Sequence, residues 1–324
     1  MKKILSMALL IFCGILAFPP NCPAPLVWRR GEGWSWERHG MIVGENPQEQ
    51  LKIAQKLQQD GAYSDAISSY RRIISKWPTA FAVEEARIGM AECYGMLRYH
   101  YRAFTEYQAL IDKHPNTSHF NKALQRQYEI GNLFYSGERD KAFGVRWFPN
   151  IAKAITIYEQ VIKNGPHSEI APQAQFRIGL TKEKQKEYVE AVRAYEKVAE
   201  RYPKHPMAEE AYFQIGMAYK SESARAEYDQ NAANQSVAGF TDFLVRYPKS
   251  EKAALAENYR TALKDEQSRG LFHIGQFYEK KQSYKSALMY YHEVIEQNPQ
   301  SNWANQARDK IDIITPMTQT ASAK

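Results

Sequence analysis

The sequence has 324 residues, of which 44% are hydrophobic and 24% are charged, so the chain can bury a substantial core and is not disordered as a whole. Helix-forming Ala, Glu, Lys and Gln are frequent, whereas runs of Val, Ile and Thr at period two are scarce, and this composition predicts an all-α fold. The net charge of +7 is spread along the chain without a block of Lys or Arg, so no nucleic-acid partner is expected.

The first residues have the layout of a secretory signal. Lys2 and Lys3 precede an uncharged run over residues 4–18, and FPPNCPAP then ends any helix. A membrane-spanning helix needs about 20 apolar residues, so a retained anchor is the less favoured alternative. We therefore predict that residues 1–22 are a signal peptide and that the protein is exported to the periplasm.

Cys22 is a candidate lipidation site, because bacterial lipoproteins are acylated on the cysteine that directly follows the signal. The residues before it, Pro19 to Asn21, depart from the Leu-like and small residues that usually precede such a cysteine. Acylation would attach the protein to a membrane through its N-terminal lipid. Cys93 lies in a helical pattern and is expected to be a core residue. The cysteine spacing predicts no disulfide framework and no metal site, and we expect no cofactor.

Residues 23–46 form a Trp/Gly-rich arm that contains Trp28, Trp34 and Trp36. Trp and Arg are over-represented at interface hot spots, so the arm is a candidate docking segment. The alternative is a strand-like tail that folds back over the first repeat, because terminal repeats need a cover for their open face.

A repeated phrase follows, seen in AYSDAISSYRRIISKWP, EYVEAVRAYEKVAERYP and SYKSALMYYHEVIEQNP. Its closing prolines divide residues 47–314 into six units at steps of 37 to 51 residues. The units end at Pro78, Pro115, Pro166, Pro203, Pro248 and Pro299. Such self-similarity predicts stacked supersecondary units rather than one globule. Residues 315–324 are expected to be a disordered tail.

The spacing inside the fourth unit identifies the repeat. Gly179 is followed by Ala191, Tyr195, Val198 and Pro203, and the sixth unit has the same residue types at the same intervals from Gly275 onward. Small residues allow two antiparallel helices to approach, the aromatic residue fills the space between them, and the proline ends the second helix. This is the signature of the tetratricopeptide repeat, and it predicts a right-handed superhelical solenoid of about six helix-turn-helix units.

Two units carry insertions between their helices, at residues 136–149 and 220–235. Insertions in a solenoid map to loops or lengthened helices on one face, which is often the binding face. The first insertion includes Trp147, a candidate docking residue whose alternative is packing against neighbouring helices.

In tetratricopeptide arrays the first helices line a concave groove, and one position in each faces it. A line of mainly aromatic residues at that position suits an extended, apolar peptide. The line consists of Ile88, Tyr128, Phe176, Phe213 and Phe272, and nearby Asn132, Met217, Arg269 and Gln276 are candidates for further contacts. The alternative is that helical spacing packs these residues between helices. The groove interpretation predicts that Asp at positions 176 and 213 leaves the fold intact.

The sequence contains no HExxH, GxSxG, P-loop or GxGxxG motif, and its carboxylates lie at helical spacing beside Lys and Arg. We therefore expect no catalytic residues and a protein that is not an enzyme. Function is expected to come from a binding surface.

The fifth unit, DQNAANQSVAGFTDFLVRYPKSEKAALA, and the exported N-terminus resemble the BamD-type (YfiO-like) outer-membrane assembly lipoproteins, over roughly residues 45–312. The resemblance implies a place on the periplasmic face of the outer membrane. It also implies partnership with a β-barrel insertase and the holding of unfolded outer-membrane protein peptides. The alternative is a scaffold similar to the CpoB-type (YbgF-like) proteins, which coordinate cell-wall and division machinery. Those carry an N-terminal coiled coil, whereas residues 25–45 contain too much Gly and Trp for heptads.

Overall fold

The computed structural model describes residues 26–29, 33–36, 43–139, 141–142, 145–146, 151–225 and 230–321. The predicted signal at 1–22, the lipidation candidate Cys22 and Trp147 lie outside these residues, as do the side chains of Trp28, Trp34 and Trp36. The chain forms two compact units, one within residues 1–93 and one within residues 94–324.

In the first unit, an antiparallel hairpin precedes the helices. Strands β1 (Leu26–Arg29) and β2 (Gly33–Trp36) pair in the register Leu26↔Trp36. Helix α1 (Pro47–Gln59) begins at Asn46, whose side-chain oxygen accepts a hydrogen bond from the Glu49 amide at 2.9 Å. Since Pro47 needs no amide partner at the first helical position, sequence and capping together fix this helix start.

Twelve further helices follow within the described residues. They are α2 (Tyr63–Lys76), α3 (Ala82–Met96), α4 (His100–Lys113), α5 (Phe120–Ser136), α6 (Ala152–Asn164), α7 (Ile170–Lys184), α8 (Tyr188–Arg201), α9 (Pro206–Arg225), α10 (Gln230–Arg246), α11 (Ala253–Lys280), α12 (Tyr284–Gln297) and α13 (Asn302–Ala321). Within each unit, most helices that follow one another in the sequence pack together, α1 with α2 in the first and each helix from α4 to α12 with the next in the second. The predicted all-α tetratricopeptide solenoid is therefore confirmed.

Each second helix ends just before a closing proline. Helix α8, for example, ends at Arg201, and the Tyr202 amide donates to the Val198 carbonyl at 2.9 Å before Pro203 follows. Proline cannot supply the next helical hydrogen bond and keeps its predecessor out of the α region. Every repeat therefore changes direction at the same point of its sequence.

Glycine on a first helix packs against the aromatic ring of a second helix. A Cβ added at Gly179 would lie 2.3 Å from a ring carbon of Tyr195, which is fully buried. The same contact recurs between Gly131 and Tyr158, Gly216 and Phe240, and Gly275 and Tyr291. A larger side chain would clash with a ring that has no room to move, so the glycine fixes the separation of the two helices.

Three of the repeat tyrosines also donate a hydrogen bond to the first helix. The hydroxyls of Tyr70, Tyr158 and Tyr291 reach side-chain oxygens of Gln58, Asn132 and Glu279 at 2.6, 2.8 and 2.7 Å. The buried Tyr195 hydroxyl lies near the corresponding carboxyl, that of Glu183, but makes no hydrogen bond of normal geometry with a described residue. A buried hydroxyl without a well-formed hydrogen bond is costly, so this contact is less favourable in the fourth unit than in the third.

The insertions take two different forms. Helix α5 ends at Gly137, whose φ of 88° is left-handed, and a short hairpin follows with strands β3 (Lys141–Ala142) and β4 (Val145–Arg146). The insertion at 220–235 instead contributes to the ends of two helices, since α9 continues to Arg225 and α10 begins at Gln230.

The chain end differs from the expected disordered tail at 315–324. Helix α13 continues through Pro316 to Ala321, and residues 322–324 lie outside the described part. Ile314 is buried against the apolar cluster of the sixth unit, together with Ala307. The extension follows from this packing, because a helix that covers the sixth unit gains apolar contacts that sequence position alone does not reveal.

We expect Gly179→Ala to lower the free energy of unfolding by about 1–3 kcal/mol, because the added methyl group overlaps the Tyr195 ring. Gly95→Ala is the matched control. Gly95 is also helical, nothing lies within 4 Å of its added Cβ, and alanine there should stabilise by up to about 1 kcal/mol. Urea unfolding followed by circular dichroism measures both. Equal effects of the two variants would contradict the role assigned to the glycine.

Candidate functional site

The predicted line of groove residues is mostly buried. Ile88, Phe176, Phe213 and Phe272 expose 4, 8, 6 and 2% of their surface, whereas Tyr128 is half-buried. The expectation that all five line an open groove is therefore corrected for these four. They are packing residues, as the alternative interpretation held.

Their burial follows from their spacing in the sequence from the repeat glycine. Phe176 lies three residues before Gly179 and therefore shares its helical face, which points at the second helix. Its ring centroid is 5.1 Å from that of Tyr195. Phe213 likewise lies 5.9 Å from Phe240 and 5.5 Å from Phe243, inside one apolar cluster.

Phe272 has the same role in the sixth unit. Its ring centroid is 5.3 Å from that of Tyr291 and 5.5 Å from that of Trp303 on α13. Asn132 is also engaged within the fold, because its side-chain oxygen accepts the Tyr158 hydrogen bond. These side chains stabilise the packing between helices and are not free to contact a ligand.

The other candidates are more accessible. Met217 is half-buried beside the Phe213 cluster. Arg269 is exposed and pairs with Glu266 at 3.3 Å, and Gln276 contacts the His273 ring nitrogen at 3.0 Å. A surface ion pair of this kind contributes little to stability, so Arg269 can exchange its partner at low cost.

The structure brings the predicted residue Tyr128 together with three residues that the sequence interpretation missed. We call Tyr128, Tyr135, Arg177 and Lys184 the basic-aromatic cluster. The Arg177 guanidinium lies 5.2 Å from the centre of the Tyr135 ring, and the Lys184 ammonium lies 4.8 Å from the same ring. Lys184 also donates to the Tyr135 carbonyl at 2.8 Å. The cluster thus joins α5 to α7 on the side of the first helices.

Electrostatics keep the cluster positively charged. Burial alone would lower the pKa of Arg177, but the hydrogen bond with Tyr128 and the nearby tyrosines raise it instead. Contacts between cations and aromatic rings contribute about 0.5–2 kcal/mol, depending on their exposure. Arginine remains protonated at any physiological pH, and its fork of donors suits a carboxylate. The cluster is therefore suited to an anionic group that arrives with an apolar or aromatic side chain.

One signal in the sequence pointed to this cluster. Arg177 directly follows the aromatic residue of the first helix, which turns it by about 100° away from the buried face. The contribution of Tyr135 depends on how α5 lies beside α7, and residues so far apart in sequence give no periodicity that reveals it.

Glutamates at equivalent places in the fourth and sixth units have shifted pKa values in opposite directions. Burial raises the pKa of Glu183 more than the nearby Tyr195 hydroxyl lowers it. At Glu279, burial would also raise the pKa, but hydrogen bonds from Tyr291 and Lys310 outweigh it and lower the pKa. The ionised carboxylate therefore stabilises the fold in the sixth unit, at Glu279, and destabilises it in the fourth, at Glu183.

Chemically reactive groups are sparse in the described ranges. They contain no group of three or more His, Cys, Asp or Glu side chains placed to hold a metal ion. Cys93 is buried, and burial with the nearby Glu92 raises the pKa of its thiol to about 12. No helix in the described part combines the length and apolar character that crossing a bilayer requires.

Comparison with known proteins gives a family match. The family described as YfiO, outer membrane lipoprotein, matches residues 149–318, just over half of the chain. No curated protein matches the sequence.

Several solved structures, among them tetratricopeptide proteins, resemble the chain at low identity. The C-terminal part of a TPR repeat-containing protein from Cytophaga hutchinsonii is 18% identical, with 81% of this chain and 87% of that chain covered and a TM-score of 0.38. MamA is 20% identical over 65% of this chain and 96% of its own, with a TM-score of 0.35. YrrB, a TPR protein with an unusual peptide-binding site, is 15% identical over 66% of this chain and 93% of its own, with a TM-score of 0.34. These values are too low to transfer a function.

We expect Phe176→Asp combined with Phe213→Asp to abolish cooperative unfolding and reduce the helical circular-dichroism signal. Loss of each aromatic side chain costs about 3–5 kcal/mol, and a buried carboxylate adds to that cost. The control is Phe81→Asp combined with Val245→Asp, at positions that are 92 and 75% exposed. A folded Phe176/Phe213 variant would restore the groove interpretation.

Glu183→Gln and Glu279→Gln should change stability in opposite directions. A raised pKa means that ionised Glu183 destabilises the fold, so glutamine should raise the midpoint of thermal unfolding at pH 8, with the gain shrinking as the pH falls through the carboxyl pKa. A lowered pKa means that ionised Glu279 stabilises the fold, so its replacement should lower the midpoint at pH 8 and matter less in acid. Melting curves between pH 4 and pH 8 measure both. A shift of the same sign in both variants would contradict the assignment.

Proposed function

Because the chain belongs to the YfiO family of outer membrane lipoproteins, we propose that it is a non-enzymatic envelope scaffold that takes part in outer-membrane β-barrel assembly, as BamD-type proteins do. The family match is the observation that carries this proposal. Stacked helical repeats support it, since such arrays present long surfaces for protein partners. The protein acts from the periplasmic side of the outer membrane, attached through lipid on Cys22, with an insertase of β-barrel architecture as its partner.

Peptide binding is assigned to the first-helix side of the third to fifth units. The basic-aromatic cluster supplies two cations beside two tyrosine rings. Met217 on α9, the next first helix, adds an adaptable apolar contact. An extended peptide that ends in an aromatic residue offers both complementary groups, a ring and a carboxylate. Such peptides occur at the ends of unfolded outer-membrane strands, and the cluster would hold one before insertion.

The assembly role predicts a specific partner. Affinity capture of the tagged full-length protein from detergent-solubilised envelopes, with mass spectrometry of bound proteins, should recover a large β-barrel insertase. Recovery of cell-wall synthases or constriction proteins without the insertase would instead favour the CpoB-type alternative. Palmitate labelling that disappears in Cys22→Ala would support the proposed attachment.

The peptide site is tested separately with a synthetic peptide that ends in phenylalanine. Arg177→Gln combined with Lys184→Gln should weaken binding about tenfold or more, because charge-assisted contacts to the carboxylate are lost. Amidation of the peptide terminus should weaken wild-type binding to a similar extent. The matched control is Arg193→Gln combined with Lys197→Gln, which removes two exposed cations from α8. Equal loss in both double variants would attribute binding to net charge and contradict the assigned site.

A further inference from the structure

The residue before the repeat glycine is isoleucine in four units, and its surroundings change in the last. Ile130 and Ile178 are buried, with 7 and 9% of their surface exposed, and Ile215 is half-buried. Ile274 in α11 is 37% exposed. Neighbouring side chains therefore bury this isoleucine in the third and fourth units, whereas in the sixth unit part of it is exposed to solvent.

A second position on the same helical face shows the contrast more strongly. Two residues after the glycine, Leu133 is 37% exposed in the third unit, whereas Thr181 and Ala218 are fully buried in the fourth and fifth units. Phe277 occupies this position in the sixth unit and is 55% exposed. A phenylalanine with half of its surface in water gives up much of the free energy that burial of its ring would provide.

The length of α11 explains the missing cover. In the fourth unit, α6 and α8 both pack against α7. Helix α11 has 28 residues, and it uses different parts for the two contacts. Its first half carries Ala256 and Leu263 into the cluster around Phe240, whereas its second half carries Leu271 and Phe272 into the cluster around Tyr291.

One hydrogen bond marks where the cover by α10 stops. The side-chain amide of Gln267 donates to Asn234 at 2.8 Å, and α10 begins only four residues before Asn234, about 6 Å along the helix axis. Ile274 and Phe277 lie seven and ten residues beyond Gln267, or about 10 and 15 Å along the antiparallel α11. Both residues are therefore past the start of α10.

We propose that this face of α11 is a docking site for an amphipathic helix of a partner protein, in the place that a preceding second helix occupies in the fourth unit. We call Ile274, Phe277 and Lys281 the α11 docking face. Ile274 and Phe277 lie on a different side of α11 from Arg269 and Gln276, so the face is separate from the peptide site proposed above.

Charge specifies the partner helix further. Lys280, Lys281 and Lys285 are all exposed at the end of α11 and the start of α12, and the Lys281 ammonium lies 5.8 Å from the Phe277 ring. A helix that packs antiparallel to α11, as second helices do here, places its first turn beside these lysines. Acidic residues in that turn satisfy both the lysines and the positive end of the partner's own helix dipole. The occupant is therefore a helix with an apolar stripe and an acidic N-terminal turn.

A helix of this chain provides the probe. Residues 186–202 contain α8, the second helix of the fourth unit, with Glu187 and Glu190 near its start and Val192, Tyr195 and Ala199 on its buried face. A fluorescent peptide of this sequence, stapled on its exposed side so that the helix is already formed, is titrated with the full-length protein and followed by anisotropy.

We expect saturable binding that Ile274→Glu combined with Phe277→Glu weakens at least about tenfold. Lys in place of both glutamates of the peptide should weaken binding several-fold and remove most of its salt dependence. The control protein is Val245→Glu combined with Met289→Glu, which alters apolar residues that are 75 and 57% exposed elsewhere and should bind normally. All four substituted positions are at least 37% exposed, so unchanged circular dichroism is expected for both variants.

Two results would overturn the proposal. One is the absence of saturable binding up to the solubility limit of the protein, or binding that the Ile274/Phe277 variant leaves unchanged. The other is a concentration-dependent dimer in analytical ultracentrifugation that the same variant abolishes, because the face would then be covered by a second copy of this chain. Failure of the Phe-ended peptide to bind would leave the α11 docking face unaffected, so the two proposed sites are tested independently.

Discussion

The contact between a glycine on a first helix and an aromatic ring on a second helix sets the geometry of the repeats. With no Cβ at Gly179, the ring of Tyr195 packs against the backbone, and the helices approach more closely than any other residue would permit. The same approach brings the tyrosine hydroxyl close to the first helix. In three units the hydroxyl donates to a side-chain oxygen there, and in the fourth it lies near Glu183 without a hydrogen bond of normal geometry to a described residue.

The same contact determines which parts of the first helix are left for binding. Residues that share a face with the glycine, such as Phe176, are drawn into the core. The next residue around the helix, Arg177, turns toward α5 and meets Tyr128 and Tyr135 there. The proposed binding surface is therefore cationic and aromatic, rather than a row of apolar rings. A surface of that kind would select ligands that carry charge, which a purely apolar groove would not do.

Departures from the regular repeat are where further surfaces arise. The long helix α11 contacts α10 with its first half and α12 with its second half, whereas a regular first helix makes both contacts along the same stretch. Ile274 and Phe277 are therefore partly exposed to solvent. Helix α13 has the opposite effect, because its Ile314 and Ala307 cover the apolar cluster of the sixth unit. Departures from the repeat therefore change which apolar residues are exposed, and a partner can recognise such a place as it could not recognise a regular unit.

The sequence by itself determined the helical class, the repeat and the points at which second helices end, because these depend on local features: a proline, a glycine and an aromatic residue at fixed spacing. It did not determine which side of a first helix is open. Helical periodicity places Phe176 and Gly179 on one face, but only the tertiary structure decides whether that face meets water or another helix. The tertiary structure likewise determines the basic-aromatic cluster and the exposed part of α11. Both depend on how helices from distant parts of the chain are positioned beside each other, and no spacing within one repeat encodes that position.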